Sequence, residues 1–110
     1  MTKSKDPSKY LPLSETTFYT MVCLVEPMHG YALMQKVKEI SQDTVEIGAG
    51  TLYTIFSTLE KEGLITLLSE SDRRKTYHLT IRGKQVLWLQ IQRMEIMLRN
   101  GKDITHLLSE

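Results

Sequence analysis

Thr51-Leu52-Tyr53-Thr54-Ile55-Phe56-Ser57-Thr58-Leu59-Glu60-Lys61-Glu62-Gly63 is the stretch that decides how this chain is read. Leu52, Ile55, Phe56 and Leu59 fall at i, i+3, i+4 and i+7, so they form one apolar stripe on a helix that must bury it against a core. At about 100° per residue, Thr54, Ser57 and Lys61 point away from that stripe, flanked by Tyr53 and Thr58. The outward face carries hydroxyls and one cation, with no carboxylate until Glu60 and Glu62. Short hydrogen-bonding side chains on a narrow helical face suit a DNA major groove, where they reach base edges and phosphates. The same face also fits an ordinary solvated helix, so the neighbouring sequence has to decide.

The charge distribution bears on that choice. The formal net charge is only +1. Residues 14–62 nevertheless hold three lysines against seven acids, whereas residues 71–84 hold Arg73, Arg74, Lys75, Arg82 and Lys84 against Asp72. Positive charge thus gathers just after the helix, and local clustering of this kind is the electrostatic footprint of phosphate binding. Leu64–Ser69 and Thr76–Leu79 read as two short strands around a polar, basic turn, which makes a β-hairpin with the arginines at its tip. On the second strand Tyr77 and Leu79 share one face, and Thr76 and His78 the other.

Upstream, residues 1–12 hold Lys3, Lys5, Lys9 and two prolines without periodicity and read as a flexible basic arm. Ser14 is a natural N-cap for a first helix whose apolar positions are Phe18, Met21, Val22 and Val25, stopped by Pro27. Met28 to Tyr31 reads as a turn into a second helix with Leu33, Met34, Val37 and Ile40 as its stripe. His29 beside that turn reads as a structural histidine, since no second ligand stands at metal spacing. Ser41–Gly50 is a loop in which Val45 and Ile47 alternate with polar neighbours, as a short extended segment would. Downstream, Thr80 is the N-cap of a last long helix expected to end near Asn100-Gly101. Leu87, Ile91, Met94 and Leu98 make a heptad-like seam on it, widened by Val86, Trp88 and Met97.

Three helices, a basic hairpin and a long final helix predict a mainly α fold: a winged helix-turn-helix over residues 13–80, then a dimerisation helix and tail over 81–110. In a winged helix-turn-helix the third helix enters the major groove while the hairpin lies along the backbone or in the minor groove. Arg73, Arg74 and Lys75 are then expected to neutralise phosphates, and Thr51, Thr54, Ser57 and Lys61 to supply base-edge and positioning contacts. The apolar seam predicts a homodimer that presents two reading helices to a pseudo-palindromic operator; the alternative is that this helix folds back over the first helix of its own subunit, and the two contacts are compatible. Trp88 can pack at the subunit interface or stack on a planar effector there.

Other classes fare worse. The chain has no paired carboxylates at a credible site, no Ser/His/Asp set, no Gly-rich phosphate loop and no metal spacing, so neither an enzyme nor a cofactor is expected. Its single cysteine, Cys23, lies in an apolar pattern and reads as a small buried hydrophobe. No apolar run approaches the ~20 residues that span a bilayer, so the chain reads as cytoplasmic with no membrane partner. A winged-helix module that meets a protein instead of DNA is the alternative, and the basic hairpin tip argues against it.

Four strings, in order and with matching gaps, carry a family resemblance. They are Pro27-Met28-His29-Gly30-Tyr31, Gly50-Thr51-Leu52-Tyr53, Leu59-Glu60-Lys61-Glu62-Gly63-Leu64-Ile65, and Arg74-Lys75-Thr76-Tyr77-His78-Leu79-Thr80 with Gly83 following. From about Leu13 to Gly83 the chain resembles the PadR family of bacterial transcriptional regulators. The resemblance implies a winged-helix repressor that binds double-stranded DNA as a homodimer and is released by a small-molecule effector. By the same resemblance Tyr53 matches a tyrosine expected to touch the DNA backbone, and Arg74, Lys75 and Tyr77 match the basic and aromatic positions of the wing. Longer members carry several helices at the C-terminus. This chain resembles the smaller subfamily, in which one C-terminal helix serves for dimerisation and some members sense aromatic compounds between subunits.

Overall fold

Each element begins where the sequence offers a cap or a turn. In the computed structural model, which describes residues 6–109, Ser14 accepts from the Thr17 amide at 3.1 Å and starts α1, Glu15–Cys23. A two-residue strand β1, Met28–His29, leads into α2, Gly30–Ile40, whose N-cap is His29. The loop from Ser41 ends at Gly48, the N-cap of α3, Ala49–Lys61. Gly63 follows α3 with φ 76°, a left-handed value that only glycine adopts without strain, and it turns the chain into β2, Ile65–Ser71. β3, Arg74–Leu79, returns antiparallel, and α4 then runs from Ile81 to Ile104.

The α3 stripe packs as its periodicity requires. Leu52, Phe56 and Leu59 are buried with Leu33 and Val37 of α2, Met21, Cys23 and Leu24 around the end of α1, and Leu64, Ile65, Tyr77 and Leu79 of the hairpin. Val45 and Ile47 also reach this core, but from an irregular loop and not from a strand. Ser41 anchors that loop: its hydroxyl accepts from the Val45 amide at 3.1 Å. Cys23 is buried as expected, and burial raises its thiol pKa while Lys36 partly opposes this.

Several expectations need correction. The sheet has three strands in the order β1-β3-β2, because Met28 and His29 pair with Tyr77 and Thr76 where the sequence suggested only a turn. α1 stops at Cys23, which leaves Val25 outside the helix and exposed. α4 continues through Gly101 to Ile104. The N-terminal arm is ordered where it is described: Pro7–Tyr10 forms a 3-10 turn capped by Asp6 and packs along α4, with Tyr10, Leu11 and Leu13 against the core. Lys3 and Lys5 lie outside the described residues.

α4 is joined to the rest at close quarters. Thr80 accepts from the Gly83 amide at 3.0 Å and donates to the Gly63 carbonyl at 2.7 Å, so one hydroxyl caps α4 and ties it to the end of α3. A Cβ built on Gly83 would lie 2.1 Å from the Leu64 carbonyl oxygen. Only glycine allows that approach. Val86 and Leu87 follow into the core. Leu87, read as part of the dimer seam, is only 6% exposed and therefore belongs to the subunit's own core.

Candidate nucleic-acid interface

The outward face of α3 is built as its sequence suggests. Thr51, Tyr53, Thr54, Ser57 and Lys61 are all exposed, and Tyr53 is 74% accessible. The Thr54 hydroxyl donates to the Gly50 carbonyl at 3.2 Å, so its lone pairs remain as acceptors. Donors on a base edge or in solvent can use them.

The hairpin places its cations by backbone geometry. Ser71 pairs with Arg74, which leaves Asp72 and Arg73 as a two-residue connection with φ 50° and 66°. Positive φ at both positions is what a type I′ turn requires, and such turns favour Asn or Asp followed by Gly. Arg73 thus sits in a conformation that costs an L-residue of order 1 kcal/mol. A register shift between Leu67 and Ser69 marks a β-bulge, which sharpens the hairpin's twist before the tip.

Helix and hairpin tip face one another across a single groove of 620 Å³. Tyr53 and Ser57 line it from α3, and Arg73, Arg74 and Lys75 from the wing. Its floor is Phe56 and Tyr77, whose ring centroids are 4.7 Å apart. Glu60 brings one carboxylate to the rim. Thr51, Thr54 and Lys61 are exposed but lie outside this groove.

Tyr77 departs from the sequence reading. It is 6% exposed, and burial, with Glu60 and Glu70 nearby, raises its hydroxyl pKa. Its ring joins the wing strand to α3 through Phe56 and is not free to reach a phosphate. Tyr31, by contrast, was missed: it projects from the first turn of α2 into the same groove and is exposed. Its place straight after Gly30, in a segment read only as a turn, hid it. His29 keeps the structural role expected of it, its Nδ1 accepting from the Ala32 amide at 3.4 Å. Among the described residues no group of three or more His, Cys, Asp or Glu could hold a metal ion, and no helix is long and apolar enough to cross a membrane.

Residues 13–88 match the Transcriptional regulator PadR-like family. The chain belongs to that family. Solved structures share the PadR-like fold over most of their length. A transcriptional regulator from Clostridium thermocellum superposes with a TM-score of 0.71 at 20% identity, covering 94% of this chain and 97% of that one. A PadR family transcriptional regulator from Eggerthella lenta gives 0.68 at 24% identity, covering 82% and 77%. Among sequence relatives, an uncharacterized 37.1 kDa protein in transposon TN4556 of Streptomyces fradiae is 33% identical over 61 residues. That alignment takes in 56% of this chain but only 17% of the relative's length. An uncharacterized protein of Lysinibacillus sphaericus is 26% identical over 88 residues, covering 71% of this chain and 81% of that one.

The PadR-like match ends at residue 88, within α4. Past Gln90, which is still buried, the helix loses its intramolecular support. Ile91 and Met94 are exposed, Leu98 is 59% accessible, and Ile96 and Met97 are equally open. Trp88 lies on another side of the helix, in a shallow recess with Pro7, Ile81, Lys84, Gln85 and Leu89.

Proposed function

We propose that this PadR-like regulator is a repressor that binds a pseudo-palindromic operator as a homodimer and is released by a small-molecule effector. One observation carries the reading: Tyr53 and Ser57 on the outward face of α3 open onto the same groove as the cationic wing tip, and Thr51, Thr54 and Lys61 stand exposed on the same helix. With α3 in the major groove, Thr51, Thr54, Ser57 and Lys61 read base edges or position the helix, Tyr53 meets the backbone, and Arg73, Arg74 and Lys75 neutralise flanking phosphates. Tyr31 joins them from α2. Tyr77 supports the wing from beneath.

The stretch of α4 from Ile91 onward supports the dimer reading. Ile91, Met94 and Leu98 repeat at spacings of three and four and stand exposed, an arrangement that a second copy of the helix covers. Leu87 contributes to the subunit core, so the interface lies farther from the DNA-reading elements than the full seam implied. Trp88, open to solvent and carried on the same helix, is the side chain placed to meet a planar aromatic effector.

The test combines binding and sedimentation. Wild-type protein should select a two-fold-related duplex from a randomised pool and bind it with strong salt dependence. Ile91→Lys should sediment as a monomer and lose roughly 10³-fold or more in affinity for that duplex, since only half of the site is then held. A variant that stays dimeric removes the seam. Wild-type binding that favours no sequence at any salt concentration removes the operator.

A further inference from the structure

The end of the reading helix is gripped from two sides. On one side, Thr80 and Gly83 of the α4 start hold Gly63 and Leu64, as described above. On the other side stands Tyr10, from the segment that the sequence suggested was a loose arm. Its hydroxyl donates to Glu62 Oε1 at 2.9 Å and accepts from Arg82 Nη2 at 3.1 Å. Glu62 is the C-cap residue of α3, and Arg82 stands in the first turn of α4. One phenol therefore bridges the helix read as the DNA reader and the helix read as the dimer rod.

The bridge is held firmly. The Arg82 guanidinium lies 5.5 Å from the Tyr10 ring centroid and Lys9 Nζ 5.0 Å from it, so both cations also engage the aromatic face. Three residues on, the Leu13 amide donates to Oε1 of buried Gln90 at 2.8 Å, which fastens the same segment to the third turn of α4. Both bonds to the hydroxyl involve an ionised partner, the stronger kind of hydrogen bond. A phenol also has few rotatable bonds, so it transmits a shift of one helix to the other with little slack.

We infer that Tyr10 is a positioning residue for DNA recognition: through Glu62 and Arg82 it sets the angle of α3 relative to α4. This rests on the operator reading above. Leverage makes the contact matter. α3 has 13 residues, about 20 Å of helix. A tilt of about 5° about its clamped end moves Thr51 and Tyr53, about 12–15 Å away along the helix, by roughly 1–1.3 Å. Hydrogen bonds to base edges span only about 2.7–3.2 Å, so such a displacement breaks them. Phosphate attraction, being long-ranged, survives it. Losing the bridge should therefore lower discrimination between sequences while sparing general affinity.

Tyr10→Phe keeps the ring and both cation contacts but deletes the hydroxyl. The measurement is the ratio of affinities for the duplex selected by wild-type protein and for a mixed-sequence duplex, alongside the thermal midpoint and the salt slope. Tyr10→Phe should reduce that ratio roughly tenfold, the worth of one charge-assisted hydrogen bond, with the mixed-sequence affinity and salt slope nearly unchanged and the thermal midpoint lowered by only several degrees. Glu62→Ala should reduce it to the same degree, the double variant should fall no further, and Glu62→Gln, which retains an acceptor, should keep the wild-type ratio. An unchanged ratio in Tyr10→Phe overturns the inference and leaves operator binding standing. A fall in both affinities together with the thermal midpoint also overturns it, because the hydroxyl then serves only to keep the fold. Wild-type protein without sequence preference overturns the operator reading and this inference with it.

Discussion

Gly83→Ala is expected to strip this protein of about a third or more of its folding stability, far more than the same methyl group costs at Gly30, Gly48, Gly50 or Gly101. The added Cβ would meet the Leu64 carbonyl oxygen at 2.1 Å and Leu79 Cδ2 at 3.2 Å. The first of these is backbone, so no side-chain rotation relieves it. α4 has to move outward by about 1 Å, and Val86 and Leu87 in the next turn are then drawn from the core they fill. A loss of roughly 4–5 kcal/mol is the expected scale, which lowers the thermal midpoint by about 20–30 °C in a domain of this size. Gly50→Ala and Gly101→Ala provide the contrast. Both positions lie in helices, and an added Cβ meets nothing within 4 Å. Each should leave stability equal or raise it by about 0.5–1 kcal/mol, since alanine is the better helix former. Calorimetry on the three variants settles the comparison, and a Gly83→Ala midpoint near wild type would show that α4 does not approach Leu64 so closely.

The second large effect concerns the wing. If Arg73, Arg74 and Lys75 each meet one phosphate, replacing all three with alanine should reduce the salt slope of DNA binding by up to ~2.7. Referred to ~1 M salt, that slope corresponds to a loss of roughly 500-fold at ~0.1 M, spread evenly over all sequences because phosphates carry no base information. A control separates charge from hairpin folding. Arg73→Gly removes one cation but places glycine where φ is 66°, so it should firm the turn by about 0.4–1 kcal/mol while still reducing the slope by ~0.9. Titrations at several salt concentrations give both numbers. A triple variant whose slope matches wild type would mean that the wing does not touch the backbone.

Much of this architecture is legible in the amino-acid sequence, and the residues show why. The period of Leu52, Phe56 and Leu59 and the clustering of Arg73 to Lys75 are local signals that tertiary structure only confirms. Met28 and His29 were different: two residues between Pro27 and Gly30 carry no strand pattern, and they pair only because β3 passes beside them. Tyr77 was legible in one way and misread in another. Its alternation with Leu79 puts both on one face of β3, and that face is the core, yet resemblance to a wing motif suggested a DNA contact. The N-terminal segment failed on composition, because prolines and lysines suggested disorder while Tyr10 and Leu11 found partners far along the chain. Asn100-Gly101 looked like a stop, but an exposed glycine within a helix costs only about 1 kcal/mol and the helix continues past it.

The uneven burial of α4 has one more consequence. Its proximal turns are welded to the subunit, while from Ile91 to Ile104 no residue is buried. A lone segment of about that length is a marginal helix in water. If two copies pair through α4 as proposed, dilution should do more than separate them: it should melt the far end of each. Thermal resistance would then climb with protein concentration, so the abundance of the molecule would help to decide how much of it is folded.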